Sequence, residues 1–411
     1  MDRLNATKLA VLCLVVACGG GQQATDPGAA SSAPAGVMTA PTSSGATPPA
    51  AAANVAGQAA APSKPSSSAN TPATTTAPAT AGTPATAANP GTAAAAGAGA
   101  TSVATAGTAA AGSGSAVAMN PPAAACDPKD KLADPTPVSF KVLVGGYDKL
   151  DKPPTTGPLN PVIEVHPGFP DWTVYRPEPL NPETKHPIVV FGNGGCLLNG
   201  TLFGQWTLEI ASYGIVSVVD GKPQSKPSDD PIFNGIRSGP DGKPQVEAMD
   251  WITAENERPC SPFYHKLDLE KIAVAGQSCG GMMTMLAAGD QRVSTALVLS
   301  SGLSGNNQML FSTYHAPMLF ITGGTSDMLH ATGLANFNAI NNVPMWFGSQ
   351  NSGHMGTWDQ INAGEMGRAA TGWVRWKLLG DAAAEKMFVG ADCELCKPPS
   401  EWVMIMKKMI D

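Results

Sequence analysis

The run Lys271–Gly281 (KIAVAGQSCGG) restricts the fold more than any other stretch of this chain. A short apolar segment, Ile272–Ala275, leads directly into Gly276-Gln277-Ser278-Cys279-Gly280-Gly281 and then into a helix-like run, Met282–Gly289 (MMTMLAAG). A strand that becomes a helix within so few residues forces the residue at the bend into a disfavoured backbone conformation. Glycine is needed on both sides, because a side chain at Gly276 or Gly280 would strike the neighbouring strand or helix. The bend lifts the Ser278 hydroxyl to the N-terminus of the helix, where the helix dipole favours developing negative charge. A G-x-S-x-G pattern arises easily in a chain with 45 glycines. The strand before it and the helix after it give this one its meaning.

The rest of the chain from Cys126 onward fits the same kind of sheet. Ile188–Phe191, Ile215–Val219, Ile272–Ala275, Ala296–Leu299, Pro317–Thr322 and Val343–Phe347 are short apolar runs. Such runs suit strands of a mostly parallel sheet that is buried on both faces. Helix-like segments alternate with them: Leu202–Ser212, Gln245–Glu255, Gly280–Ala288 and Gly364–Leu379. Tyr213-Gly214 is a C-cap for the first of these. Val246, Met249 and Ile252 share one face of the second, and Trp373 and Trp376 point to the core from the last. Asp171–Tyr175 is expected to be a leading antiparallel strand. Alternating strands and helices predict an α/β fold with helices on both faces of the sheet. Lys222–Pro244, rich in Pro, Gly and Asp, is expected to loop over the carboxyl edge, where such sheets place their sites.

Composition sets the limits of that fold. Gly19–Ala125 is almost wholly Ala, Thr, Pro, Gly and Ser; its only charges are Asp26 and Lys64, and it has no aromatic residue. Such a tract cannot bury enough apolar surface to offset the entropy of ordering it, and is expected to be a disordered tether. The charges before Cys126 (Asp2, Arg3, Lys8, Asp26, Lys64) sum to +1, so a chain of net charge −7 leaves −8 on the folded part. An acidic domain without a Lys/Arg run argues against a nucleic-acid partner.

The first residues have the layout of an export signal: Arg3 and Lys8, then the apolar Leu9–Ala17, which is too short to span a bilayer. The end of this run, Val15-Val16-Ala17-Cys18 followed by three glycines, resembles the lipobox of bacterial lipoproteins. The resemblance implies cleavage after residue 17, acylation of Cys18 and anchorage at a membrane. The expected organisation is a signal peptide (1–17), a lipidated cysteine with its tether (18–125) and one domain (126–411). An exported chain without the lipid would be secreted. Cys126, Cys196, Cys260, Cys279, Cys393 and Cys396 remain, an even number that suggests disulfides in an oxidising compartment. Cys393-Glu394-Leu395-Cys396 has zinc-ribbon spacing, but no second CxxC supplies the four ligands of a structural site. A disulfide is the better reading there, and no metal or cofactor is expected.

A serine needs a base to take its proton and an acid to orient that base. Three histidines follow Ser278. His354 lies in a Gly-flanked loop just past the strand Val343–Phe347 and suits the base. His315 precedes a strand, at the wrong sheet end, and His330 is either a site-lining or a surface residue. Asp327 follows the strand Pro317–Thr322 and suits the acid. Asp290 comes too early, and Asp359 follows His354.

The elbow, the order Ser278–Asp327–His354 and the loop Phe191-Gly192-Asn193-Gly194-Gly195-Cys196 together resemble the α/β-hydrolase serine esterases. The run from Gly195-Cys196 through Trp206 to Ile210-Ala211-Ser212-Tyr213-Gly214 is similar to polyester hydrolases, chlorophyllase-like enzymes and platelet-activating-factor acetylhydrolases. The resemblance spans most of Asp171–Leu379 and implies ester hydrolysis through an acyl-enzyme. It places the oxyanion donors on the N–H groups of Cys196 and Cys279, where the relatives usually carry aromatic or apolar side chains. Donors that converge on one oxygen have nearby Cα atoms, so Cys196 and Cys279 are either a disulfide that stiffens the hole or two packed thiols. Leu197, Leu198, Met282 and Met328 flank these motifs, as acyl-pocket lining or as core. The expected substrate is a small-molecule or polymeric ester. A catalytically silent binding module and an acyltransferase with the same residues are the alternatives. Lys386–Asp411 carries no motif with readable chemistry.

Overall fold

The computed structural model describes residues 125–232, 234–397 and 401–410. The export segment, Cys18 and the tether up to residue 124 lie outside the described residues. Among the described residues no helix is long and apolar enough to cross a membrane.

Ten strands form one sheet: β1 (Thr136–Val138), β2 (Asn160–Val165), β3 (Trp172–Glu178), β4 (His186–Gly192), β5 (Val216–Asp220), β6 (Leu267–Gln277), β7 (Val293–Leu299), β8 (Met318–Thr322), β9 (Met345–Gln350) and β10 (Trp402–Lys408). Their spatial order is β1-β2-β3-β5-β4-β6-β7-β8-β9-β10. The six strands from β5 to β9 in that order pair in parallel. β1, β2 and β3 add antiparallel strands at one side, and β10 adds one at the other. This is a mostly parallel α/β sheet.

The helices are α1 (Gly204–Ala211), α2 (Lys243–Glu257), α3 (Cys279–Ala287), α4 (Gln308–Phe311), α5 (His330–Ala339), α6 (Gly364–Leu379) and α7 (Ala382–Glu385). They cover both faces of the sheet, and strand periodicity sorts the core into two halves. Val189, Phe191, Ala273, Ala275, Leu297, Leu299, Leu319 and Ile321 pack with Trp206 of α1 and Trp373 of α6. Their alternates Val190, Val274, Val298 and Phe320 pack with Met249 and Ile252 of α2, Met285 of α3 and Phe337 of α5. Because both faces are covered, β4 and β8 are buried along their whole length, which is why they read as unbroken apolar runs. Trp373 satisfies its indole N–H on Thr295 Oγ1 of β7 at 2.9 Å, which pins α6 to the sheet.

Six expected strands, the leading antiparallel strand and four expected helices are present, displaced by a few residues at their ends. The elements beyond these are β1, β2, β10, α4, α5 and α7, and three of them show why the apolar period does not reveal them. Glu164 interrupts β2 but is buried because Arg176 of β3 grips it through two nitrogens, at 2.7 and 2.9 Å. α5 carries Gly333, Asn336 and Asn338, all weak helix formers. β10 lies in the C-terminal run, where Lys408 Nζ donates to the carbonyl oxygens of Phe337, Asn338 and Ile340 at the end of α5. The chain leaves β4 for β5 on one side and returns to β6 on the other. The carboxyl ends of β4 and β6 therefore flank a switch point, the place where open α/β sheets leave a crevice.

Candidate active site

Ser278 sits at the crossing from β6 to α3, with φ 55° and ψ −116°. This conformation is strained for a residue with a side chain, and hydrogen bonds hold it on both sides. The Ser278 N–H donates to Leu299 O of β7 at 2.9 Å. Its carbonyl accepts from Ser301 Oγ at 2.6 Å and from the Met282 N–H at 3.1 Å. Sterics explain the flanking glycines. A Cβ at Gly276 would meet the backbone of Gly280, and a Cβ at Gly280 would meet the carbonyl of Gly192 at the end of β4. Strand, helix and the β4 loop thus approach one another at backbone distance around Ser278.

Asp327 lies in the turn after β8. The Gly323 N–H donates to its Oδ2, and the Leu329 N–H to its Oδ1, both at 3.0 Å. The loop after β9 folds back onto the same turn: the N–H groups of Ser352 and Gly353 donate to Gly323 O at 3.1 and 2.8 Å. That seam delivers His354. Its Nδ1 is 2.7 Å from Asp327 Oδ1, and its Nε2 is 2.9 Å from Ser278 Oγ. An Nδ1–H that donates to the carboxylate leaves Nε2 free to accept from the hydroxyl. None of the three residues is more than 8% exposed. Burial by itself raises the pKa of the Asp327 carboxyl. The His354 ring and the N–H groups of Gly323 and Leu329 outweigh it and hold the carboxyl below its ordinary value.

The loop after β4 passes through a 3-10 turn, Gly194–Cys196, with positive φ at Gly195 (65°) and at Cys196 (53°). The Cα atoms of Cys196 and Cys279 are 5.2 Å apart, at disulfide distance. The Cys279 N–H is the first of α3 and has no acceptor within the helix. Among the described residues the Cys196 N–H donates to no backbone carbonyl either. Neither N–H therefore has a backbone acceptor among the described residues, and the two residues are neighbours by their Cα distance. Cys126 with Cys260, and Cys393 with Cys396, also lie at disulfide distance, with Cα separations of 4.8 and 5.0 Å.

The expected loop Lys222–Pro244 ends earlier, because α2 begins at Lys243, and it meets the turn that carries Cys196. The Arg237 N–H donates to Cys196 O at 2.9 Å, and the Arg237 guanidinium grips Asp220 through two bonds of 2.7 and 2.8 Å. Asn193 donates from its amide to Leu197 O at 3.1 Å and to Asp220 O at 2.5 Å. Leu197 is fully buried in the core; Leu198 and Met282 are half-buried, and Met328, next to Asp327, is exposed.

The remaining candidates take no part in this relay, though His330 adjoins it, its N–H donating to Asp327 O at 3.0 Å. His315 Nε2 contacts Val293 O at the amino end of the sheet. His330 opens α5 and pairs through Nδ1 with Thr322 Oγ1 at 2.8 Å. Asp290 is paired with Arg292. Gln277, Ser301, Asn193 and Arg237 also hold the site, without a motif that marks them. The first occupies a variable position of the G-x-S-x-G motif. The second follows an apolar strand at its carboxyl end, which is the one signal that would have flagged it.

No protein-family model matches this chain, and no curated protein matches it.

Proposed function

We propose that this chain is a serine hydrolase of carboxylic esters with an α/β-hydrolase fold. The observation that carries the proposal is one buried imidazole bonded at the same time to a carboxylate and to a serine hydroxyl on a strained strand–helix turn. His354 takes the Ser278 proton as Oγ attacks the ester carbonyl carbon. Asp327 holds the imidazole in the tautomer that can accept it and stabilises the imidazolium that results. The carbonyl oxygen becomes an oxyanion and receives the N–H groups of Cys196 and Cys279. Collapse breaks the bond to the alcohol, which leaves with the proton from His354, and the acyl group remains on Ser278. Water then attacks the acyl carbon as His354 takes its proton; collapse breaks the bond to Ser278 Oγ, which takes that proton back from His354, and the acid leaves. Lipid, short-chain and polyester substrates share this chemistry.

The switch-point position of Ser278 and the pairing of all six domain cysteines support the reading. Three cysteine pairs at disulfide distance suit an oxidising compartment, in line with export and a lipid anchor at Cys18. A fluorophosphonate probe tests the proposal. The wild-type chain is expected to be labelled and Ser278→Ala to stay unlabelled while folded. Equal labelling of both, or of neither, contradicts it.

A further inference from the structure

Gln277 occupies the last position of β6, beside Ser278, and its side chain is fully buried. Its Nε2 donates to the main-chain carbonyl of His354 at 3.0 Å. That bond fixes the orientation of the amide, since the other orientation would set two oxygens against each other. Its Oε1 then faces the loop after β4, where a Cβ on Gly194 would collide with it. No donor reaches this oxygen among the described residues. One side chain therefore touches three parts of the site: it belongs to the strand of the serine, holds the backbone of the histidine and lies under the loop that carries Cys196.

A buried amide with an unpaired oxygen is a poor choice for stability, because the oxygen loses its water and gains no partner. An unbranched apolar side chain of similar volume would remove that unpaired oxygen, at the cost of the donor to the His354 carbonyl. The His354 loop, in contrast, has a use for the donor. His354 reaches Ser278 and Asp327 only if its main chain stays in register with the end of β6, and the Gln277 amide is a direct cross-link between the two. We propose that Gln277 is a positioning residue that holds His354 in line with Ser278. The inference rests on the serine-hydrolase reading above. Gln277 touches neither substrate nor the reacting atoms, so its effect falls on turnover and not on substrate affinity.

The test is Gln277→Met in the full chain, assayed with a p-nitrophenyl ester, with the rate of fluorophosphonate labelling and the thermal midpoint measured on the same samples. Displacement of a reacting group by about 1 Å lowers rates by up to ~100-fold. The expected result is a kcat ~10- to 100-fold lower, KM within about threefold, and slower labelling in the same proportion, with a thermal midpoint close to wild type. A side chain that only fills space predicts instead that kcat stays within about twofold, and that result overturns the proposal. A parallel rise in KM with unchanged kcat overturns it too. Should Gln277→Met fail to fold, Gln277→Asn gives the same reading, since it keeps the polar groups but withdraws them from the His354 carbonyl. A wild-type chain inert toward esters and probe ends the hydrolase reading itself. An active wild type with an equally active variant ends only the role of Gln277.

Discussion

Replacing Asp327 with asparagine exchanges one carboxylate oxygen for an NH2 group and exposes what the carboxylate does. Three N–H groups converge on it: Gly323 on Oδ2, and Leu329 and His354 on Oδ1. Asparagine offers one oxygen for these three donors. With its NH2 toward Gly323, one buried donor faces another, at about 1–3 kcal/mol. With its NH2 toward His354, the Leu329 N–H is stranded, and the ring must carry its proton on Nε2, where it cannot accept from Ser278. The first orientation keeps the productive tautomer, but it leaves a neutral oxygen where the imidazolium needs a negative charge. In serine proteases of the same constellation this exchange lowers kcat by about 10⁴. The expected loss here is ~10³- to 10⁴-fold, or roughly 4–5.5 kcal/mol at about 1.4 kcal/mol per tenfold. Steady-state hydrolysis of a p-nitrophenyl ester measures it, with near-UV circular dichroism as the check on folding. A folded Asp327→Asn chain within about tenfold of wild-type kcat would refute the role given to the carboxylate.

Three further outcomes follow from the same geometry. Cys196 and Cys279, 83 residues apart, lie at disulfide distance; with that bond formed, chain entropy puts the stability lost by replacing both with alanine at about 4.5 kcal/mol as an upper figure, and urea denaturation measures it. The same variant is expected to lose kcat more than KM, because the two donors are no longer tied together. Gly280→Ala drives a methyl into the Gly192 carbonyl; denaturation should show a loss of about 1–3 kcal/mol, and unchanged stability would contradict the close approach. The Asp327 pKa is lowered on folding, so its contribution to stability is present above the unfolded carboxylate value and is lost as pH falls through the lower, folded value. Stability curves of wild type and Asp327→Asn should therefore converge below about pH 4; curves that stay parallel through the acid range contradict this.

The parts of the fold that were legible in the sequence are those buried on both faces. β4, β6, β7, β8 and β9 announce themselves as apolar runs because helices cover both sides of each. β2 stayed hidden because its buried glutamate is satisfied by Arg176, a partner on another strand that no local pattern reveals. β10 follows a CxxC and carries Lys408, whose acceptors lie at the end of α5, some 70 residues earlier. The site divides in the same way. Ser278, Asp327 and His354 each stand just past an apolar strand, so their positions could be read one at a time. The bonds that hold them do not follow from position. The Gly323–Gly353 seam, the Ser301 hydroxyl on the Ser278 carbonyl and the Gln277 amide on His354 depend on which loops meet above the sheet. Only the Cys196–Cys279 proximity was reachable beforehand, through the convergence that two donors to one oxygen require.

The most direct measurement is mass spectrometry of the chain quenched in acid during turnover of a p-nitrophenyl ester. The central claim predicts one added acyl group, located on the peptide that contains Ser278 and absent from Ser278→Ala. Turnover that proceeds with no acyl group on Ser278, or with the label on another residue, would contradict it.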